Sequence, residues 1–200
     1  AGIETDNFKS FKEYTTFRPK IVMEKFENYF NDLGQDDLNP NRKNLSSIYT
    51  TGNKYVDGEK LFNIVYDDRN PNRSRDNLLG NTQDGDGFLF RGRGALHITG
   101  RENYTKFTDF YNNISTIPKD FIETPDDLEN NLEIAIHAGM WFFQKYILKD
   151  KSFQKKAVSL DSMIQKKLIK KVTKIVNGGN NKLKERDDLL KDSKTKIKCN

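Results

Sequence analysis

Cysteine is all but missing from this 200-residue chain. The single one, Cys199, stands next to the last residue, so no internal bridge can close. That excludes a disulfide scaffold and a cysteine-based zinc site. Histidine is scarce as well: His97 and His137 are too few and too far apart in sequence to suggest a metal cluster, and no cofactor is called for. No run approaches the roughly 18 apolar residues that a membrane-spanning helix needs. Internal repeats are absent at any period between about 20 and 50 residues, which excludes solenoids and propellers. The opening AGIETDNF is neither a signal peptide nor a transit peptide. Residues 1–4 are expected to form the last turn of a helix whose beginning is missing, as in a fragment of a longer chain.

Apolar residues reach only 34% and charged residues 32%, but 14 Phe and 8 Tyr restore enough buried area for a core. A chain of this length hides roughly 70% of its unfolded surface, so one domain over residues 1–200 is expected, as a monomer. Its net charge of +5 conceals a split. Residues 145–200 hold 17 Lys and Arg against 6 Asp and Glu, while the rest of the chain is acidic. A basic end of this kind, with residues 188–200 as a basic tail, suits an anionic cell wall or merely solvates helix faces. Without interleaved aromatics or a Gly-Arg framework it gives no support to nucleic-acid binding.

The fold class expected is mainly α, with a small glycine-rich β element lining a cleft. Residues 20–33 carry Ile21, Val22, Phe26 and Phe30 at helical spacing before Gly34. Residues 35–58 are polar enough for a surface loop, and Leu61 to Tyr66 for a short helix. Residues 67–87 are almost wholly turn chemistry, and a loop this long inside a domain is usually functional. In FLFRGRGALHITG, Phe88 and Phe90 alternate with Leu89 and Arg91 before two glycines, the pattern of an extended strand approached closely by another group. Thr99 to Glu102 has the spacing of a capping box opening a helix to about Tyr111. Thr124-Pro125-Asp126-Asp127 starts another, expected to run to about Ile147 and to bury Leu132, Ile136, Met140 and Phe143. Asp161 opens a last one through Ile164, Leu168, Val172 and Val176, stopped by Asn177-Gly178-Gly179.

The glycines do not make a phosphate loop, since position 97 is His where a third Gly is needed, and GxxxxGK[ST] is absent. No GxSxG nucleophile elbow occurs either. Carboxylates remain. Glu4 and Glu13 are nine residues apart, which on one continuous helix means opposite faces and roughly 13.5 Å. They can cooperate only if the helix ends after Glu4 and the chain turns back, for which Asp6-Asn7 offers a stop.

LGNTQDGDGFLFRGRGALHITGRENY resembles the central signature of glycoside hydrolase family 19, chitinases and phage endolysins with a lysozyme-like fold. Three further segments agree in order: ETDNFKSFKEYTTF, AIHAGMWFFQKY and VNGGNNKLKERDDLLK. The missing disulfides place the chain nearer the bacterial and phage endolysin-like branch. The resemblance implies Glu4 as general acid, Glu13 as general base and Thr99 as the hydroxyl that holds the attacking water. It implies substrate contacts from His97, Asn103, Tyr104 and Asn177, and from Arg186 as an arginine organising the carboxylates. Most members have Gln where this chain has His97, and His where it has Ile3 before the acid. Simpler roles stand beside these: Trp141 as core, His137 as a core or surface histidine, Thr99 as a helix cap, which it can combine with cleft duty, Asn177-Gly178-Gly179 as a helix end, and Arg91 and Arg93 as partners of core acids.

Hydrolysis with inversion needs one protonated and one ionised carboxyl about 6.5–9.5 Å apart, leaving room for a water. The activity implied is cleavage of β-1,4 bonds in an N-acetylhexosamine polymer at the bacterial envelope, in the periplasm or outside the cell. Peptidoglycan is favoured over chitin because the resemblance is to the endolysin-like branch and the basic end suits an anionic envelope. The alternatives are a chitinase, a wall-binding module that has lost turnover, and a lytic toxin with an immunity protein as partner.

Overall fold

The computed structural model describes residues 10–31, 40–50, 52, 54–148, 170, 172–174 and 183–188. The expected class holds: among the described residues helices dominate, and the strands form two small pairs. Strand β1 (Thr16–Phe17) pairs antiparallel with β4 (Val56–Asp57), Thr16 opposite Asp57. Strand β2 (Phe30–Asn31) pairs in parallel with β3 (Lys43–Asn44), Phe30 opposite Lys43. Between β1 and β2 lies helix α1 (Pro19–Phe26), followed by a 3-10 turn at Glu27–Tyr29. No helix among the described residues is long and apolar enough to cross a membrane.

One core cluster gathers Val22, Phe30, Leu45, Ile48, Val56, Leu61, Phe62 and Val65. The stretch 35–58, expected to be a surface loop, is thus corrected: Leu45, Ile48 and Val56 are buried in this cluster, and a 3-10 turn at Leu45–Ile48, capped by Asn44, carries the first two. Helix α2 (Gly58–Val65) forms as expected, with the Asp57 carboxylate accepting from the amides of Glu59 and Lys60.

The second cluster is built on α4 (Arg101–Ile114) and α6 (Leu132–Phe142), with Phe90, Ile98, Tyr104, Phe107, Phe121, Leu128, Ile134 and Trp141 at its centre. Rings carry much of it: Phe107 packs on Phe121 at 5.0 Å and on Trp141 at 5.8 Å. Trp141 is therefore core.

Three expectations about this half are overturned. Residues 88–90 are not a strand: Asp86–Leu89 is a short helix, α3, entered through Gly85 at φ +87, and the β element shrinks to single bridges pairing Arg93 with Lys12 and with Ile98. The capping box at Thr99 does not form; Gly100 stands at the start of α4, and the Thr99 hydroxyl donates to the His97 carbonyl at 3.2 Å. The helix expected from Thr124 is broken into α5 (Asp127–Asn130) and α6, with Asn131 capping the second, and continues as a π-helix over Phe143–Leu148. That break rotates the buried face. Leu132, Ile136 and Met140 are exposed, while Ile134, Ala135, Ala138, Gly139 and Trp141 are buried.

Small residues on that face have a purpose. Arg93 and Ile98 exchange backbone hydrogen bonds around a four-residue hairpin loop. The loop lies on α6, with the Ala95 amide donating to the Ala135 carbonyl at 3.0 Å. A Cβ at Gly139 would meet the Ala95 methyl at 2.9 Å. The helix expected from Asp161 is helical where it is described, at 172–174, and Val172 is half-buried; Ile164, Leu168 and Val176 lie outside the described residues.

Candidate active site

Glu13 sits on an extended segment at the seam between the two core clusters. Its backbone amide donates to the Gly92 carbonyl at 2.8 Å, and the Gly92 amide returns a bond to Glu13 Oε2 at 3.0 Å. The other carboxyl oxygen, Oε1, accepts from the Tyr66 hydroxyl at 2.7 Å. A side chain at Gly92 would crowd the site: a Cβ there would stand 3.1 Å from Glu13 Oε2 and 3.1 Å from His97 Cβ. The glycine therefore lets the Glu13 carboxylate and the His97 Cβ approach the same stretch of backbone.

Burial raises the Glu13 carboxyl above the ordinary range, against the pull of the Tyr66 and Gly92 hydrogen bonds and of the Lys25 and Arg91 charges. A hydroxyl-rich recess of about 180 Å³ opens beside it, lined by Ser10, Lys12, Tyr14, Thr15 and Thr16.

Three other residues singled out in the sequence lie near Gly92 or are hydrogen-bonded in a chain from there. His97, at φ +51 in the left-handed region, touches the same Gly92 position. Burial holds its imidazole down to about 4, and its Nε2 has no hydrogen-bond partner among the described residues. Thr99 bonds to the His97 carbonyl. Asn103 donates from Nδ2 to the Thr99 carbonyl at 2.8 Å and accepts from the Tyr146 hydroxyl at 2.6 Å.

Other residues fall elsewhere. Tyr104 is fully buried; its hydroxyl donates to the Arg91 carbonyl at 2.7 Å and accepts from Arg93 at 3.0 Å. The structure places it inside the fold, behind Arg91 and Arg93, rather than on the surface where a substrate contact was expected. Arg93 is 1% exposed and reaches Glu129 at 3.0 Å and Asp126 at 2.6 Å; Arg91 also reaches Glu129, at 3.3 Å. Both arginines thus pair with the largely buried Glu129, and Arg93 also with the exposed Asp126. Arg186 lines a separate, largely apolar cavity of about 840 Å³ along α6, with Leu96, Ile136 and Met140, which shares no lining residue with the Glu13 recess. Glu4 and Asn177 lie outside the described residues.

The long loop 67–87 supports this arrangement through three buried polar side chains. The Asp68 carboxylate accepts from the amides of Leu79 at 2.8 Å and Asn81 at 3.1 Å. Asn81 donates to the Tyr66 carbonyl at 3.0 Å and accepts from the Arg101 amide at 2.8 Å. Asp86, 2% exposed, pairs with Arg101 at 2.6 Å. Tyr66 is thereby tied to the start of α4. Sequence reading missed Tyr66; the available signal was a tyrosine ending an amphipathic helix, whose hydroxyl needs a partner once buried.

No protein-family model matches the chain. A protein of Haemophilus influenzae described as a glycosyl hydrolase family 19 domain-containing protein is 27% identical to it over 191 residues. The match covers 95% of this chain and 72% of that protein. The resemblance to glycoside hydrolase family 19 drawn from four separate motifs is therefore carried by a curated relative along almost the whole chain.

Proposed function

We propose that the chain is a glycoside hydrolase that cleaves β-1,4 bonds of an N-acetylhexosamine polymer with inversion, and that the polymer is peptidoglycan. The observation that carries this reading is the Glu13 carboxyl: half-buried, fixed through both oxygens, and next to a hydroxyl-lined recess. A carboxylate so held is suited to accept a proton from water in one direction only. In this reading Glu13 is the general base, Thr99 helps hold the water, and His97 and Asn103 meet the sugar. Glu4 is the acid that protonates the leaving oxygen, a role that rests on the resemblance, as does that of Asn177. The neutral imidazole of His97 serves as a hydrogen-bonding group in place of an amide. The basic end favours an anionic envelope polymer over neutral chitin, and the bacterial envelope is the expected place of action.

The test is digestion of purified sacculi and of chitin, with mass identification of the new reducing ends and NMR of the first anomer released. N-acetylmuramic acid ends of inverted α configuration are expected. N-acetylglucosamine ends from chitin alone would make the chain a chitinase, and a β anomer would replace inversion by retention. Binding without release of ends would leave a wall-binding module.

A further inference from the structure

We propose that Tyr66 is a positioning residue for Glu13, its hydroxyl acting with the Gly92 amide to hold the carboxylate in one orientation. This deepens the reading of Glu13 as general base and rests on it.

An ionised carboxylate offers about four acceptor sites. The Tyr66 hydroxyl takes one on Oε1 and the Gly92 amide one on Oε2, leaving acceptor positions on both oxygens for a water. A single donor would leave the group free to swing about its last torsion, whereas two donors on different oxygens stop it. The donor itself is immobile. The Tyr66 ring stacks on Phe62 at 5.2 Å, with 3° between the planes. Its amide donates to the Phe62 carbonyl at 3.0 Å, and its carbonyl accepts from Asn81, the buried side chain anchored to Arg101. The helix that carries Phe62 is pressed against α3, where a Cβ at Gly87 would meet the Phe62 carbonyl oxygen at 2.2 Å. Tyr66 thus transmits the position of α2 to the carboxylate.

The charged and titratable groups that face the pair are Lys25 of α1 and Arg91 around Glu13, and Arg73 and Tyr29 around Tyr66. Burial, then the neighbouring Glu13 charge, pushes the Tyr66 phenol well above its ordinary value. It therefore remains a donor at every pH at which the fold works. Donation to an anion stabilises it, so the hydroxyl opposes the burial that would keep Glu13 protonated.

The experiment is Tyr66→Phe, which keeps the ring and its stacking and removes one oxygen. Glu13 is followed by its ¹³C-labelled carboxyl in NMR, beside the pH dependence of kcat and KM on a soluble N-acetylglucosamine oligomer. The carboxyl titration and the acid limb of kcat should both move to higher pH by about one unit, the size of a lost hydrogen bond to a charge. At the optimum, kcat should fall about tenfold with KM little changed. Replacing Tyr66 by 3,5-difluorotyrosine, a stronger donor on the same ring, should move the titration the other way. An NMR titration that neither variant moves would overturn the proposal. Glu13→Gln, assayed alongside, separates the causes. If it is inactive while Tyr66→Phe shifts nothing, the positioning role alone fails; if it turns over normally, the general-base reading and this role fall together.

Discussion

At the scale of single residues, Glu13 and His97 are held against their ordinary protonation, and each leaves a mark on stability. The Glu13 carboxyl is raised from its ordinary 4.5 by burial, so the folded chain keeps a proton that the unfolded chain has released. That contribution is whole below about pH 4.5 and is lost as pH rises through the raised value. Glu13→Gln should therefore melt at or above the wild-type temperature at pH 7, with the gap closing near pH 4; thermal melts at the two pH values check it. His97 has the opposite sign. Its imidazole is lowered from 6.5 to about 4, so between those values the unfolded chain binds a proton that the folded chain refuses. Stability present above 6.5 is lost as pH falls towards 4, and His97→Gln should flatten that slope in melts taken across the interval. Glu13 and His97 were both legible in the sequence because motif positions name residue types. Tyr66 was not, because its importance comes from a contact across 53 positions that no local pattern announces.

At the scale of elements, the site depends on how the hairpin around Arg93 and Ile98 is seated on α6. Ala135, Ala138 and Gly139 make a shallow bed for Gly94 and Ala95, with the would-be Cβ of Gly94 already 3.0 Å from the Ala138 methyl. Gly139→Leu would push the hairpin off this bed. A loss of about 1–3 kcal/mol by overpacking is expected, together with a loss of turnover in the folded fraction, because the hairpin carries both Gly92 and His97. Urea melts and specific activity measured below the midpoint check the two effects. Periodicity misread this helix for a physical reason. Residues 132–143 are apolar on almost every side, so spacing alone could not choose a face, and the Asn131 cap that resets the helix was hidden behind the stronger Thr124-Pro125 signal. The strand expected at Phe88–Phe90 failed similarly. Alternation over three residues is too short to tell a strand from one turn of helix, and Gly85 at φ +87 supplied the turn. The chemistry of the RGRG segment was readable, but both its arginines reach the largely buried Glu129, and Arg93 also the exposed Asp126, while Gly92 between them takes the place beside Glu13.

At the scale of the whole molecule, the uneven charge bears on substrate encounter. Residues 145–200 are strongly basic, and screening shortens to about 3 Å at 1 M salt. If these lysines bring the protein to an anionic wall, raising salt should slow the digestion of sacculi and leave a short neutral N-acetylglucosamine oligomer almost unaffected. Substituting Lys166, Lys167, Lys170 and Lys171 by Gln should reproduce the high-salt result on sacculi. Equal salt sensitivity on both substrates would assign the lysines to helix solvation. All of this presupposes turnover centred on the seam between the two cores, where Glu13 is locked between Tyr66 and Gly92. The most direct measurement is kcat/KM of Glu13→Gln on the neutral oligomer, with its melting temperature taken on the same preparation. A neutral amide cannot accept the proton of the attacking water, so a folded variant at least ~10²-fold slower than wild type is expected. A folded variant with near-wild-type turnover would contradict the general-base role of Glu13.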